Sequence, residues 1–460
     1  MNKSELKKTK NSYFDKYIFV FLAALELLMS FTFFGYIHIP PISITFAYIP
    51  ILIAACILDT KSSAVMGLIF GLASMYKATA YYSMPTDMIF SPFLSGRPLS
   101  SIILAVGTRV LYGFVAGLIF SGAKKSKHSK IWIGIAAAIL PKLHGIIVYA
   151  AMLCLFPDIV HGYLENCFFI PSDIGVMIIC VFLVEISTFF YGKTAVKKFK
   201  KSIDGSYEIP YAEAGKKQNI ILGFALFVVI MTVAATLYFA ERSSFLLQSY
   251  GLYVTSDISH DLTHLQIQFM LAVLSLDIIS IVVLELGYKY TAYQKFMGEI
   301  DVITNVMGRR IFLNCCKRTQ QKFEKSASER GWFLFLDVDR FKDINDTLGH
   351  TVGDNVLKEI AASLKLCLGD YGIIGRIGGD EFAAMLDRPI SKEELQKRLN
   401  IFLEEISDIL PSSNKVSCSI GACSFQYPAD MSELMSKVFI PQKAADAHVL
   451  FWVISHPVFF

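Results

Sequence analysis

Long apolar runs with almost no charged residues fill about the first 290 residues of this chain, and they constrain its fold more than any other feature. Ordinary amphipathic sequence follows them. Overall, 54% of the 460 residues are hydrophobic, which is too apolar for a wholly soluble protein. A helix of about 20 apolar residues is long enough to cross a bilayer. The sequence therefore predicts a multi-pass membrane region followed by a soluble domain.

Lysines divide the connections between the apolar runs into two classes. They crowd the tail 1–16 and alternate connections, whereas the opposite loops carry Arg97 and Arg242 and little other positive charge. The positive-inside rule then predicts a multi-pass membrane protein with both termini in the cytoplasm. Eight predicted spans agree with that topology: 17–39, 42–58, 63–82, 101–122, 131–156, 172–191, 219–240 and 265–286.

Several ionisable residues lie within these predicted spans, where charge is costly unless it faces a cavity or a partner. They are Glu26, Arg109, Lys142, His144, Glu185 and Asp277. Arg109, Lys142 and His144 are candidates to bind an anionic ligand, and the alternative is internal salt bridging or snorkelling. His260 and His264 fall in a predicted outer loop, 241–264, as solvated residues or as a metal-binding pair.

The soluble part contains a buried strand that ends in carboxylates. The apolar run Phe333–Leu336 leads into Asp337, and two further predicted strands, 371–376 and 381–386, are joined through Gly378-Gly379. Paired glycines between apolar runs predict a tight hairpin turn with positive φ, and they let a flat ligand approach the backbone. Asp337 and Asp380 are then expected at neighbouring strand edges. Two hard oxygen ligands there suit Mg²⁺ bound together with substrate phosphates; the alternative is solvated carboxylates.

Three motifs in order carry a resemblance to the GGDEF domain of diguanylate cyclases. They are Asp337-x-Asp-x-Phe-Lys-x-Ile-Asn-Asp, Gly349-His-x-x-Gly-Asp and Arg376-x-Gly-Gly-Asp-Glu-Phe. The resemblance implies a nucleotidyl-cyclase-like α/β domain over 301–437, with a mostly antiparallel central sheet flanked by helices. It also implies the joining of two GTP molecules into cyclic di-GMP, with release of two pyrophosphates, by two domains that face each other in a homodimer.

The same resemblance implies a role for individual residues. Mg²⁺ or Mn²⁺ is expected on the Asp337 and Asp380 carboxylates and the Val338 carbonyl, with Glu381 as a further ligand or as the base for the 3′-hydroxyl. The remaining predicted site residues bind substrate or steady the site: Asn345 and Asp354 (guanine), Phe341 and Lys342 (phosphates), Gly378 and Gly379 (substrate approach) and Arg376 (support of the site).

A second resemblance covers about residues 13–204. The segments from Pro40 to Pro50, from Gly67 to Ser74, Ser91 to Gly96, and Arg109 to Gly117 resemble the S component of energy-coupling-factor vitamin transporters, a six-helix membrane protein. This implies a sensor for a vitamin-like small molecule, and the two resemblances together imply a protein of the inner (plasma) membrane of a bacterium. The Gly-x-x-x-Gly pairs have a packing interpretation as well, because small residues let membrane helices approach closely.

These patterns predict a domain order along the chain: a basic tail 1–16, an S-component-like domain 17–204, two further spans 205–286, a helical connector 287–300, a GGDEF domain 301–437 and an aberrant tail 438–460. The opening of the GGDEF domain has Asn305 where the family has glycine, and Asn tolerates left-handed φ. The family's product-inhibition motif Arg-x-x-Asp is replaced by Gly369 and Gly372. The tail lacks the family's closing helix, and a frameshift is one hypothesis for it.

Three functions compete at this point. The first is a membrane-anchored diguanylate cyclase regulated through its membrane region. The second is a catalytically impaired receptor that binds GTP or cyclic di-GMP, and the third is a vitamin-transporter-like binding subunit. A formal net charge of +4 is too small to indicate nucleic acid as a partner.

Overall fold

The computed structural model describes residues 12–39, 42–83, 85–160, 171–207, 214–323, 330–410, 415–426, 434 and 449–452. It divides into two compact units: a helical unit up to Tyr290 and an α/β unit that starts at Thr291. The amphipathic and apolar patterns of the sequence change at the same place. Each unit is described separately below.

The helical unit begins with α1 (Tyr13–Phe31), a hairpin of β1 (Tyr36–Ile39) and β2 (Ile42–Thr45), and helices α2 (Ile49–Ile57) and α3 (Thr60–Lys77). It continues with α4 (Pro98–Lys125, including a π-helical stretch at Ile103–Gly107), α5 (Ser129–Leu155), α6 (Pro171–Gly192), the lysine-rich α7 (Thr194–Ser206), α8 (Ala214–Ser249) and α9 (Ser256–Met297). Short helices lie at Pro85–Met88 and Pro157–Val160.

Five described helices are long and apolar enough to cross a membrane, namely α4, α5, α6, α8 and α9. The predicted count of eight is therefore not confirmed, and the difference lies in the first three spans. The last four residues of predicted span 17–39, Tyr36–Ile39, form a β-hairpin with residues 42–45, because α1 ends at Phe31. Helix α2 has nine residues, fewer than the ~20 that a full crossing needs. A continuous apolar run in the sequence cannot distinguish a buried strand or half-helix from a full span.

The connection between α8 and α9 is shorter than predicted. The proposed outer loop 241–264 shrinks to residues 250–255, because α8 continues to Ser249 and α9 begins at Ser256. His260 and His264 therefore lie on a helix, which corrects their assignment to a loop. The predicted helical connector 287–300 is helical up to Met297, as the last turns of α9.

Glycines bring α3 and α4 into backbone contact. A methyl group added at Gly67 would overlap the carbonyl oxygen of Arg109, and one at Gly113 would overlap the carbonyl oxygen of Ser63. The Ser63 hydroxyl also donates to the Gly113 carbonyl oxygen at 2.8 Å. The packing interpretation of the Gly-x-x-x-Gly pairs is confirmed at these positions.

The α/β unit contains a six-stranded sheet. Its elements are β3 (Met307–Gly308), α10 (Arg309–Phe323), β4 (Arg330–Val338), α11 (Phe341–Leu348), α12 (His350–Leu368), β5 (Gly372–Arg376), β6 (Glu381–Leu386), α13 (Lys392–Ser407), β7 (Cys418–Gln426) and β8 (Val449–Trp452). The strand order is β3-β5-β6-β4-β7-β8. Only the pairing of β3 with β5 is parallel among these strands, so the sheet is mixed and mostly antiparallel.

Both faces of the central strand β4 are buried, which explains its continuous apolar sequence. Leu334 and Leu336 pack into the core beneath α12 and α13, and Phe333 and Phe335 pack into a second core with α10. The strand alternates between the two cores because successive side chains point to opposite faces.

Two local features of this unit bear on the sequence analysis. Asn305 has φ = 55°, so the left-handed turn expected at the opening of the domain is confirmed. Most of the tail 438–460 lies outside the described residues, but Val449–Trp452 pairs antiparallel with β7 as an edge strand that the sequence analysis did not predict.

Candidate functional site

Three acidic residues meet where β4 ends and β6 begins. Asp337 stands directly opposite Glu381 in the antiparallel pairing of the two strands. The next residue, Val338, donates its backbone N–H to the Asp380 carbonyl oxygen at 3.3 Å. The strand register therefore brings the predicted metal ligands 337, 338, 380 and 381 to one edge of the sheet.

The turn between β5 and β6 differs from the predicted primed hairpin. Strand β5 ends at Arg376 and β6 starts at Glu381, and neither Gly378 nor Gly379 has positive φ. The positive-φ argument for these glycines is therefore wrong. At Gly378 the requirement is one of space, because an added methyl group would overlap the Glu381 carboxylate. Gly379 has open space around its Cα, which leaves the turn accessible to a ligand.

Electrostatic repulsion builds up at this edge. Partial removal from water, followed by the charges of Asp380, Glu381 and Asp339, raises the pKa of Asp337 to about 6. Like charges in close proximity disfavour ionisation of each other. Asp337 is still solvent-exposed. A divalent cation would relieve this repulsion, so the charge of the site fits a bound metal ion.

The donor chemistry fits Mg²⁺ or Mn²⁺ as well, because carboxylate and carbonyl oxygens are the ligands that hard divalent ions prefer. Among the described residues, no group of three or more His, Cys, Asp or Glu side chains is arranged as a ready-made metal cage. Mg²⁺ commonly uses one or two carboxylates and completes its shell with substrate phosphates and water. A pair of carboxylates at the strand edge is therefore sufficient for this mode of binding.

Asp339 was not singled out from the sequence, yet it belongs to the acidic edge. The hydroxyl groups of Ser417 and Ser419, at the start of β7, donate to its two carboxylate oxygens at 2.6 Å each. These bonds fix Asp339 and leave Asp337 as the more available carboxylate. Asp339 lies two residues after Asp337, just beyond β4, so the alternation of side chains along the strand is the sequence signal that could have identified it.

Arg376 supports the turn. Its Nε and Nη2 donate to the Gly379 carbonyl oxygen at 3.2 and 2.6 Å, and its Nη1 donates to Asp301 at 3.0 Å. Asp301 also accepts from the backbone N–H and the hydroxyl of Thr304. Burial opposes ionisation of Asp301, but the hydrogen bonds from Thr304 and Arg376 outweigh it and hold its pKa below the usual range. Asp301, which the sequence analysis missed as a site residue, thus anchors Arg376.

The predicted nucleotide-binding residues lie on α11 and the first turn of α12. Phe341 and Lys342 occupy the first turn of α11, and Asn345 its second. Gly349, with φ = 86°, makes the sharp turn into α12. Gly353 packs so tightly that an added methyl group would overlap Asn345 Oδ1 and lie 3.2 Å from Phe341 Cζ. This contact brings Asn345 beside the α12 turn that carries the exposed Asp354.

In the helical unit, the three residues predicted to bind an anionic ligand make different contacts. Lys142 forms a salt bridge with Asp173 at 2.7 Å, as the alternative interpretation expected. Arg109 is buried, donates to the Leu104 carbonyl oxygen at 2.8 Å, and lies over the rings of Phe70 and Phe90. Glu26, also buried, accepts from the Ser30 hydroxyl at 3.3 Å.

His144 belongs to a set of polar side chains with buried polar atoms. Its ring lies 4.9 Å from the ring of Tyr112 and 5.3 Å from that of Tyr48. Among the described residues, His144 Nε2, the Tyr112 hydroxyl and Glu26 Oε2 are buried atoms with no hydrogen-bond partner. Unsatisfied buried polar atoms are rare and costly, and such atoms are expected to find a ligand or water.

Comparison with known proteins gives both halves of the chain a family. Residues 299–439 match the family described as "Diguanylate cyclase, GGDEF domain", and residues 18–207 match "ECF transporter, substrate-specific component". Residues 299–439 of the α/β unit are therefore a GGDEF domain, and a region similar to the S component of ECF transporters precedes them.

Particular relatives match over the GGDEF part. The probable diguanylate cyclase DgcI of Escherichia coli (strain K12) is 39% identical over 124 residues, which are 26% of this chain and 25% of that protein. Diguanylate cyclase A of Treponema denticola is 28% identical over 142 residues, 30% of this chain and 38% of that protein. The uncharacterized protein YhcK of Bacillus subtilis (strain 168) is 31% identical over 136 residues, 29% of this chain and 38% of that protein. The chain thus spans less than two fifths of these relatives.

Solved structures give similar matches. A structure comprising only the GGDEF domain of YfiN from Pseudomonas aeruginosa is 31% identical, with a TM-score of 0.27, and covers 30% of this chain and 83% of that chain. The coiled coil and GGDEF domain of DgcB from Caulobacter crescentus, in complex with c-di-GMP, is 22% identical, with a TM-score of 0.31, and covers 35% and 86%.

Proposed function

We propose that this chain is a membrane-anchored diguanylate cyclase that joins two GTP molecules into cyclic di-GMP and releases two pyrophosphates. The observation that carries the proposal is the acidic edge formed by Asp337, Asp380 and Glu381 beside the open Gly378-Gly379 turn. Diguanylate cyclases generally use Mg²⁺. When bound, the metal neutralises charge on the triphosphate, which is the main requirement of phosphoryl transfer.

The other roles in metal binding, substrate binding and proton transfer are assigned to individual residues of the chain. The carboxylates of Asp337 and Asp380 and the Val338 carbonyl hold the ion, and Glu381 completes its ligands or takes the proton of the 3′-hydroxyl. Phe341 and Lys342 bind phosphates. Asn345 and Asp354 recognise guanine, since Asp accepts from the N1 and N2 donors and Asn supplies both a donor and an acceptor. Arg376 keeps the turn in place through its bonds to Gly379.

Catalysis requires a homodimer under this proposal. Each domain binds one GTP, and each 3′-hydroxyl must attack the α-phosphate of the nucleotide on the other domain. GGDEF homologues act as dimers. Positions 369 and 372 are glycine instead of the Arg and Asp of the family's product-inhibition motif. Accumulated cyclic di-GMP therefore does not inhibit its own synthesis through that site.

The membrane region anchors the enzyme, with both termini in the cytoplasm. Helices α1, α2 and α3 join the five long helices to give eight passes, the short α2 completing its pass together with the hairpin before it. Lysines support this topology, since they gather at the predicted cytoplasmic connections and on α7.

A small molecule bound inside the S-component-like domain regulates the enzyme. The supporting observation is the group of buried, unsatisfied atoms on Glu26, Tyr112 and His144, next to the buried Arg109. A ligand with donors and acceptors would satisfy them, which suits a polar, vitamin-like molecule. Thermal-stability screening of the full chain should find a stabilising ligand whose effect is lost in His144→Phe.

A catalytically impaired receptor for GTP or cyclic di-GMP is the second candidate. It is favoured by the tail, where Val449–Trp452 forms an edge strand in a segment that departs from the family pattern. A vitamin-uptake subunit is the third, and uptake dependent on an energising ATPase would support it.

One experiment separates the cyclase from the receptor. The purified full chain is incubated with GTP and Mg²⁺, and cyclic di-GMP and pyrophosphate are quantified. The proposal predicts product from the wild type and from the control Asp343→Asn, which alters an exposed acid on α11 at a position that the motif leaves unspecified. It predicts no product from Asp380→Asn. Tight GTP binding without product from the wild type would establish the receptor instead.

A further inference from the structure

A cavity that is open to solvent lies in the helical unit, at the C-terminal end of α3 and the N-terminal turns of α9. Its volume is about 760 Å³, within the ~300–1,000 Å³ typical of small-molecule sites. Much of its wall comes from α9, beyond residues 18–207 that match the S-component family. Its wall includes Tyr76, Thr79, Phe93, Ser259, Thr263 and His264.

The wall between α3 and α9 is firmly built around His264. Its Nε2 donates to the Tyr76 carbonyl oxygen at 2.8 Å and lies 2.9 Å from the Thr79 hydroxyl. Its Nδ1 accepts from Gln268 at 2.9 Å, and its ring stacks on that of Tyr76 at 4.3 Å. Both ring nitrogens are therefore engaged in hydrogen bonds. His264 is therefore a buried, neutral wall residue, and it is neither the solvated histidine nor the metal ligand that the sequence analysis considered.

The lining defines the chemistry of an occupant. Of the described residues that line the cavity, none is Asp, Glu, Lys or Arg, and the polar groups are hydroxyls and imidazoles among aromatic and aliphatic side chains. The Thr263 hydroxyl donates to the Ser259 carbonyl oxygen at 2.8 Å, so its oxygen is left to accept. Phe93 is 83% exposed and offers a ring face at the rim. The cavity is open to solvent, since Ser259 and Thr263 are exposed as well, and a charged ligand would find no carboxylate, ammonium or guanidinium group among these lining residues.

We propose that this cavity binds an uncharged, ring-containing small molecule that donates a hydrogen bond to a hydroxyl oxygen of α9, and that its occupancy alters the rate of cyclic di-GMP synthesis. The regulatory half of this proposal rests on the proposed cyclase function.

Helix α9 connects the cavity to the opening of the GGDEF domain. It runs without interruption from the cavity to Met297, shortly before Asp301. Near its other end, Glu285 accepts from the Tyr17 hydroxyl at 3.4 Å and pairs with Lys289 at 3.5 Å. Helix α9 is thus held at the cavity by His264 and near residue 285 by α1. A ligand that shifts the contact between His264 and α3 therefore biases the position of α9, a single helix that continues to Met297.

The test uses the full chain in lipid nanodiscs with indole as the probe, because indole is uncharged, flat and carries a single N–H donor. Binding is measured by saturation-transfer NMR, and cyclic di-GMP synthesis is measured in parallel. Ser259→Trp fills the cavity. Ser280→Trp is the matched control, since it adds the same ring to an exposed position on the same helix, away from the cavity.

The proposal expects saturable indole binding in the wild type and in Ser280→Trp, and an affinity weakened about tenfold or more (1.4 kcal/mol) in Ser259→Trp. Indole should change the synthesis rate in the two proteins that bind it. Equal binding by all three proteins, or binding that is not saturable, overturns the site and indicates partition into lipid. Specific binding with an unchanged synthesis rate overturns the regulatory half. Specific binding by a chain that makes no cyclic di-GMP under any condition refutes the proposed function and leaves the site intact.

Discussion

Replacing Gly353 by alanine should weaken GTP binding without unfolding the domain. The added methyl group would overlap Asn345 Oδ1, which is the end of a side chain, so that side chain can rotate away. Helix propensity favours alanine over glycine by up to ~1 kcal/mol in a helix, which offsets part of the crowding. The main consequence is that Asn345 leaves the position from which we expect it to recognise guanine.

The magnitude follows from the bonds that Asn345 can make. Its amide offers a donor and an acceptor to the guanine edge, and each hydrogen bond is worth a net ~0.5–1.5 kcal/mol. Loss of both therefore costs ~1–3 kcal/mol, or about 5- to 150-fold in the Michaelis constant for GTP. We expect kcat to fall less than the affinity, because the acidic edge at Asp337 is not touched by the change.

A double-mutant cycle isolates this effect. Steady-state synthesis of cyclic di-GMP is measured for the wild type, Gly353→Ala, Asn345→Ala and the double variant. In the Asn345→Ala background there is no amide to displace, so Gly353→Ala should add little. If it weakens GTP binding equally in both backgrounds, or in neither, Asn345 does not recognise guanine from this position.

Three further predictions concern single contacts. Asp301→Asn removes the ion pair with Arg376, a partly exposed pair worth ~1 kcal/mol. Because the pKa of Asp301 is lowered in the folded state, the variant should be less stable than the wild type at pH 7, and this difference in thermal stability should disappear as the pH falls below ~4. A difference that is unchanged at pH 3 would refute the pairing. Gly372→Asp, which restores one residue of the family's inhibition motif, pushes a Cβ into backbone atoms of β6 and should cost ~2 kcal/mol or more in chemical denaturation; wild-type stability would contradict this. Glu285→Gln removes the acid partner of the buried Lys289 and should reduce the response of synthesis to indole while the basal rate persists; an unchanged response would exclude this contact from the coupling.

The sequence predicted the GGDEF domain closely because its signals are local. The apolar run before Asp337, the amphipathic helices and the Asn305 turn all depend on neighbouring residues, and each has its predicted structure. The predicted positive φ at Gly378 and Gly379 failed for a different reason. A Gly-Gly pair is compatible with a primed turn and with close packing against Glu381, and only the fold selects between them.

The helical unit was less predictable, because hydropathy measures how apolar a segment is and not what covers it. The apolar run of α2 is buried by neighbouring elements of the same unit, so in the sequence it resembles a membrane span although α2 has only nine residues. His264 shows the same limit. Its partners Tyr76 and Thr79 lie far away in the sequence, so nothing near residue 264 indicated a built wall.

The central claim is that Asp337 and Asp380 hold one divalent cation that binds the triphosphate of the nucleotide. Electron paramagnetic resonance of Mn²⁺ with the full chain and 3′-deoxy-GTP tests it directly, because this analogue lacks the nucleophilic hydroxyl and cannot react. The account predicts nucleotide-dependent Mn²⁺ binding that weakens about tenfold or more in both Asp337→Asn and Asp380→Asn. Wild-type Mn²⁺ binding in both variants would contradict it.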